Sequence, residues 1–425
     1  MSQVTQTLPE KTRFTFTEDW TVVVLGISII AFALAGLPLP VPAYSWSNGQ
    51  ELFSKVLTSA NLLTIVIQFV LVIAVAVLGA VLLNKSLKYL LLVFPVVYGI
   101  TVLALIIAGN SQVKAWNLEA VIFSLTLGLL IGNTVTLPEW FRSALGAEVF
   151  VKIGLVLLGT SVVFSDILKA GALGLVQALV VVVSVWYFAY WLCKKLKIDD
   201  EMSLMISSAV SICGVSAAIA TAGAIKGDTR KLSYVISLVL VTAIPMMVGM
   251  PYIANYLGLS QEVTGAWLGG SIDTTGAVVA SGTLVGETAL KISTIVKFSQ
   301  NVLLGIAAFA ISIYWTYTQK NTEEARSEKP TLAVIWERFP KFVLGFVGAS
   351  LVFSFLLSPT AVSSVKDGLK NIQTLWFVLA FTSIGLETRF SDLFNASNRK
   401  PLYAFLTAQT FNIIVTLLIA YLLFR

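Results

Sequence analysis

The sequence predicts an all-α integral membrane protein of about 11 spanning helices plus two re-entrant or broken segments, arranged as an inverted-repeat carrier fold. Three observations lead there. Only 12% of the 425 residues are charged and 57% are hydrophobic, with a mean hydropathy of +0.88; a soluble chain carries about twice that charge. Apolar runs recur at about 20–38, 60–84, 86–108, 117–132, 149–165, 171–193, 202–225, 232–257, 263–285, 290–317, 342–357, 372–388 and 401–424, most near the ~20 residues that cross a bilayer. Finally, two stretches echo each other about 60 residues apart. Ser211-Ile212-Cys213-Gly214-Val215-Ser216-Ala217-Ala218 is matched by Ser271-Ile272-Asp273-Thr274-Thr275-Gly276-Ala277-Val278, and each closes on a Gly, an acid and a Thr, at 227–229 and 286–288.

Taken in order, residues 1–19 form a polar tail with Lys11 and Arg13, and 20–116 supply scaffold spans. Residues 117–257 form a first half with its tip at 211–220. Residues 258–425 form a second half with its tip at 271–282 and a basic loop at 318–341. No cleavable signal peptide is expected, because the first apolar run is long enough to span. Lys and Arg cluster at Lys85/Lys88, Lys194/Lys195/Lys197, Lys226/Arg230/Lys231, 320–341 and Arg389/Arg399/Lys400, whereas 252–262 has none. Positive charge favours the cytoplasmic side, which predicts a cytoplasmic N-terminus and an external C-terminus. Run 202–225 has basic clusters at both ends. It is therefore expected to enter and return from the cytoplasm, and 263–285 to do the same from outside; the alternative is two full spans broken in the middle.

A second repeat supports this threading. Gly159-Thr160-Ser161-Val162-Val163-Phe164-Ser165-Asp166-Ile167 matches Gly385-Leu386-Glu387-Thr388-Arg389-Phe390-Ser391-Asp392-Leu393, with Ala170 and Ala396 following. In the predicted topology both repeats are inverted, and such carriers place their sites at the midplane between the halves.

Composition also excludes chemistry. The chain has no histidine, so His catalysis, His metal sites and His proton relays are ruled out. Cys193 and Cys213 are its two cysteines and both lie in or beside apolar runs, which argues against a disulfide framework or a cysteine metal site. No cofactor and no nucleic-acid partner is expected, since the basic excess of a membrane protein reports orientation first. The expected partners are the lipid bilayer and a small anion, with a homodimer left open.

Irregular backbone at membrane depth is tolerated where it lines a cavity or is buried in protein. Breaks at Cys213-Gly214 and Thr274-Thr275-Gly276 would turn the N–H groups of half-helix starts toward a ligand, and such starts favour an anion. Ser211, Ser216, Ser271, Thr274 and Thr275 add hydroxyl donors. Tight packing by small residues is the structural alternative. Asp273 is a carboxylate at a membrane-embedded break, costly unless functional or paired. It could bind H⁺ or Na⁺, or pair with Lys297 in the following run, beside Gln300 and Asn301. Lys297 could instead attract the anion. The candidate substrate-binding set is thus Ser211, Cys213, Gly214, Ser216, Ser271, Thr274, Thr275, Gly276 and Lys297; the candidate ion-coupling set is Asp273, Gln300, Asn301 and Asn133. Glu119, Glu387 and Asp392 read as interfacial or capping groups.

At Ser211–Ala220 the chain resembles the sulfate exporter family of bacterial inner-membrane proteins (the YeiH-like group) through its Cys-Gly-x-Ser-Ala stretch. Gly128-Leu129-Leu130-Ile131-Gly132-Asn133, Lys152-Ile153-Gly154, Leu157-Leu158-Gly159, Val296-Lys297 and Asn301 fall in the order that family shows. The resemblance implies an inverted-repeat carrier in the bacterial inner membrane that moves an inorganic or sulfur-containing anion. The second motif departs from the family pattern: Asp273, Thr274 and Ala277 stand where the family carries His, Asp and Gln. The expected function is a non-enzymatic secondary transporter of sulfate, an organic sulfonate or a carboxylate, working by elevator-like alternating access coupled to H⁺ or Na⁺. The alternatives are a membrane subunit of an ion-pumping decarboxylase-like complex and a passive anion channel.

Overall fold

The computed structural model describes residues 16–115, 118–318, 336, 339–388 and 399–425. Among the described residues the long elements are all helices, and the only β-type pairing is one bridge between Trp46 and Asn110. In chain order they are α1 (Glu18–Leu34), α2 (Ser59–Leu82), α3 (Leu87–Ala108), α4 (Ala120–Thr134), α5 (Ala147–Leu158) and α6 (Phe164–Lys195). These are followed by α7 (Asp200–Ser208), α8 (Val215–Ile225), α9 (Thr229–Tyr256), α10 (Gln261–Ser271), α11 (Thr275–Val285) and α12 (Glu287–Thr318). The last three are α13 (Phe342–Leu351), α14 (Pro359–Glu387) and α15 (Lys400–Phe424). Among the described residues, seven segments are long and apolar enough to cross a membrane: α2, α3, α6, α9, α12, α15 and the stretch Glu139–Ser161 that contains α5. The polar tail up to residue 15, much of the loop 318–341 and the residues Arg389–Leu393 of the second repeat lie outside the described residues.

Local chemistry sets the helix limits. The hydroxyls of Thr17, Thr58 and Ser358 cap the starts of α1, α2 and α14. The apolar run 20–38 stops being helical at Leu34, because Gly36 adopts φ +79° and Pro38, Pro40 and Pro42 cannot donate to a helix ladder. The run 372–388 is the inner end of a longer helix, because Pro359 at the first turn of α14 starts it well outside the apolar stretch.

Two bundles result. Helices α1, α3, α4, α5, α13 and α14 pack on one another, with α2 against α1 and α3; α6–α12 and α15 form the second group. Within the first bundle α4 and α14 touch backbone to backbone. A Cβ on Gly128 would sit 2.6 Å from Thr382 O, and one on Gly132 2.8 Å from Leu386 O. That is the close approach a small-xxx-small spacing permits.

The second bundle is built on two helical hairpins. α7 continues through a wide π turn, Ala209–Cys213, before the chain reverses at Gly214 and returns as α8. The ends of this hairpin come together: Asp228 N donates to the Glu201 carboxylate at 3.2 Å, and Lys231 Nζ reaches Asp199 at 2.7 Å. α10 and α11 form the other hairpin around Ile272–Thr274, and its base closes where Ala289 N donates to Gln261 Oε1 at 3.4 Å. Both segments therefore fold back on themselves instead of running straight through. They enter from opposite ends of α12. Glu287 at the start of α12 adjoins the base of the second hairpin. Near its far end, Tyr314 meets Tyr190 (3.5 Å), one turn before the Lys194–Asp200 pair at the base of the first. At 1.5 Å per residue, Lys297 lies about 15 Å along α12, where the tips meet.

Candidate functional site

The hairpin tips cross in direct contact. Gly214 has φ +61° and ψ −111°, and a Cβ there would fall 2.6 Å from Val239 Cγ1 and 3.0 Å from the Cβ of Asp273. At each tip the incoming arm ends in carbonyls with no helical partner, and such groups must find donors elsewhere. Side chains from α12 and α15 supply them. Lys297 Nζ donates to Ile212 O, Ile272 O and Gln300 Oε1, each at 2.8 Å. Gln300 Nε2 donates to Ser211 O at 2.9 Å and Gly270 O at 3.3 Å. From α15, Gln409 Nε2 donates to Ser271 O at 2.8 Å, while Asn412 Nδ2 bridges Val210 O (3.0 Å) and Ser271 O (3.2 Å). One carbonyl from each tip thus meets the same ammonium, and one carbonyl from each meets the same amide of Asn412.

Lys297 does not bridge to Asp273. An ammonium has three protons, and all three are directed at the acceptors just named. Asp273 is buried, and its Oδ2 has no hydrogen-bond partner. It is a carboxyl held beside a fixed cation, with one oxygen still open to a proton or ion.

The outgoing arms start on the other side of the crossing, at a cavity of about 810 Å³ between the two bundles. One wall carries Cys213, Val215, Ser216, Ile219, Thr274–Ala277 and Asn301; the facing wall carries Glu18, Asp19, Glu148, Lys152, Ile384 and Glu387. The volume suits a small ligand. α8 has no side-chain N-cap, and Ser216 near its start is exposed at the cavity. α11 is capped by its own Thr274, which accepts from Ala277 N at 3.3 Å. On the facing wall Lys152 Nζ is already engaged by Glu18 (2.7 Å) and Asp19 (3.1 Å), with Glu148 at 3.7 Å.

The candidate residues therefore divide by location. Cys213, Ser216, Thr274, Thr275, Gly276 and Asn301 line the cavity. Gly214, Asp273, Lys297 and Gln300 form the crossing behind it. Ser211 is buried, its hydroxyl on Ser207 O at 2.7 Å, and the buried Ser271 Oγ has no partner. Asn133 lies apart from both, donating to Leu129 O and Thr388 O at 2.9 Å. Glu387, expected at an interface, lies on the cavity wall. Gln409 and Asn412 were missed. The signal was present: Gln409, Asn412 and Thr416 recur at one helical face of an otherwise apolar run, and polar groups within membrane segments are costly unless used.

The fold and site define a multi-pass, all-helical membrane protein with paired broken-helix hairpins facing a cavity between two bundles. The chain belongs to the family described as conserved hypothetical protein 698, whose pattern it matches over residues 88–404. It is 41% identical over 352 residues to a UPF0324 membrane protein of Rhodopirellula baltica, covering 80% of this chain and 64% of that protein. It is 39% identical over 340 residues to one of Nitratidesulfovibrio vulgaris, covering 77% of this chain and 58% of that protein. The chain thus spans about three-fifths of the length of these relatives. A UPF0324 membrane protein of Nitrosomonas europaea is 27% identical and matches nearly end to end, at 91% of this chain and 92% of that protein. No solved structure matches the chain.

Proposed function

We propose that this protein is a secondary active transporter of a small anion, with the second bundle moving against the first to expose the cavity alternately to each side. The observation that carries this reading is the cavity of about 810 Å³ onto which the starts of both outgoing hairpin arms open. Helix starts present N–H donors and a positive dipole end. Ser216 adds a neutral hydroxyl. The cation on the facing wall, Lys152, is already paired, so the anion is held by dipoles and hydrogen bonds. Such a site suits a ligand that must bind and then leave, such as sulfate, an organic sulfonate or a carboxylate.

The opposed entry of the hairpins supports an inverted-repeat carrier, in which the site lies at the repeat interface. Asp273, beside the crossing with one unpartnered oxygen, is the group we assign to H⁺ or Na⁺ coupling. The basic clusters favour an inner-membrane orientation with Glu18 and Asp19 near the cytoplasmic side.

The test is thermal stabilisation of purified protein by an anion panel, since a ligand that binds the folded state raises its stability by mass action. Uptake into proteoliposomes under imposed H⁺ or Na⁺ gradients follows. The expected result is a shift by one anion class, weakened in Ser216→Ala, and uphill accumulation with one gradient. Downhill flux alone would identify a channel. No shift with any anion, and no flux, would sink the reading.

A further inference from the structure

The tip crossing has the composition of a monovalent-cation site. Two of its oxygens, Ile212 O and Ile272 O, are carbonyls at the ends of incoming hairpin arms, where helix dipoles concentrate negative charge. Gln300 Oε1 is a third. They converge on one point, at 2.8 Å each, and the group at that point is the Lys297 ammonium. Lys297 is 1% exposed, and so is Gln300. Asp273 follows Ile272 in the chain and packs against Gly214 at the same crossing, and its Oδ2 has no hydrogen-bond partner. A buried charge is kept only where its surroundings replace its water shell, and here the three oxygens do so. The long stem of Lys297 delivers the charge from α12, so the ion cannot leave.

We infer that Lys297 is a tethered ion filling a monovalent-cation site made by Ile212 O, Ile272 O and Gln300 Oε1, and that removing its amine opens this site to a free cation. The position held by the ammonium in the native protein then needs no cation from solution, and its charge stays constant while Asp273 gains or loses a proton or Na⁺. This inference is independent of the anion reading: no anion is titrated in its test.

The experiment uses the full chain purified in detergent, melted in chloride salts of choline, methylammonium, Na⁺ and K⁺ at equal ionic strength. Lys297→Met keeps the apolar stem without the charge, and Lys297→Ala also leaves room for a small amine. The wild type is expected to melt at the same temperature in choline, methylammonium and K⁺, and a shift with Na⁺ alone would report Na⁺ at Asp273, as the proposed coupling allows. Both variants are expected to melt several degrees lower in choline and to recover as the logarithm of the concentration of Na⁺ or methylammonium rises, with the larger methylammonium response in Lys297→Ala. Three outcomes would overturn the inference: variants that ignore every cation, variants that fold in none of the salts, or a wild type with the same cation dependence.

Discussion

The two hairpin tips reverse the chain by different means. The first widens into a π turn and then uses a glycine at φ +61°; its outgoing helix has no side-chain cap. The second stays within ordinary backbone space, with Ile272 at φ −79° and ψ 129°, and Thr274 caps its outgoing helix. Both tips leave carbonyls that Lys297, Gln300 and Asn412 satisfy together. The difference lies past the reversal: the first tip has no side-chain cap and leaves Ser216 exposed at the cavity, whereas the second caps its own helix with Thr274 and places a carboxyl, Asp273, at the crossing. Two similar sequence stretches thus differ in form, one presenting Ser216 to the cavity and the other carrying a buried carboxyl.

Substitutions at matched positions can break this comparison. The largest effect is expected at Gly214→Ala. A Cβ there meets Val239 and Asp273 in a conformation unfavourable for L-residues, at a cost of about 3 kcal/mol or more. A variant that unfolds at the wild-type temperature would show that the first tip needs no glycine. Next is Asn412→Leu, which removes the amide bridging Val210 O and Ser271 O. A loss of about 1–3 kcal/mol is expected for the unsatisfied carbonyls. Proteolysis should increase more at the first tip, because Ser271 O keeps Gln409; equal sensitivity at both tips would contradict that asymmetry.

Capping sharpens the contrast at smaller cost. Thr274→Ala should lower stability by about 1 kcal/mol through loss of the N-cap. Ser216→Ala should leave the melting temperature of the ligand-free protein nearly unchanged and weaken the stabilising anion about tenfold, the loss of one hydrogen bond of about 1.4 kcal/mol. A destabilised Ser216→Ala would mean that the first tip is capped after all. The smallest effect is expected at Ser271→Ala. Its hydroxyl is buried without a partner, so the change should be neutral or slightly stabilising. Ser211→Ala gives up a 2.7 Å bond to Ser207 O and should cost about 0.5–1 kcal/mol; thermal melts of the pair decide the order.

Much of this was legible in the residues themselves. Hydropathy announces a helical membrane protein because a bilayer leaves few other ways to satisfy a backbone. The repeated Ser-Ile stretches mark both breaks, since glycine and hydroxyl residues interrupt a helix by local geometry. The basic clusters flanking 202–225 point to a segment that returns to its own side, and the closed base at Glu201, Asp228 and Lys231 has that form. All of these are local or compositional properties, which one sequence determines.

The partners across the site were decided by tertiary structure alone. Lys297 and Asp273 are 24 positions apart and invite a salt bridge on paper, yet the ammonium turns to Ile212 O and Ile272 O. It can do so because the first hairpin, 85 residues away in the chain at Ile212, brings unpaired carbonyls to the same point. Gln409 and Asn412 reach Ser271 O from more than 130 residues away. Glu387 faces a cavity because the bundles stand apart there. Backbone carbonyls carry no mark in a sequence. Which of them is left unpaired, and which side chain meets it, depends on how the helices cross, and that is set by the packing of the whole chain.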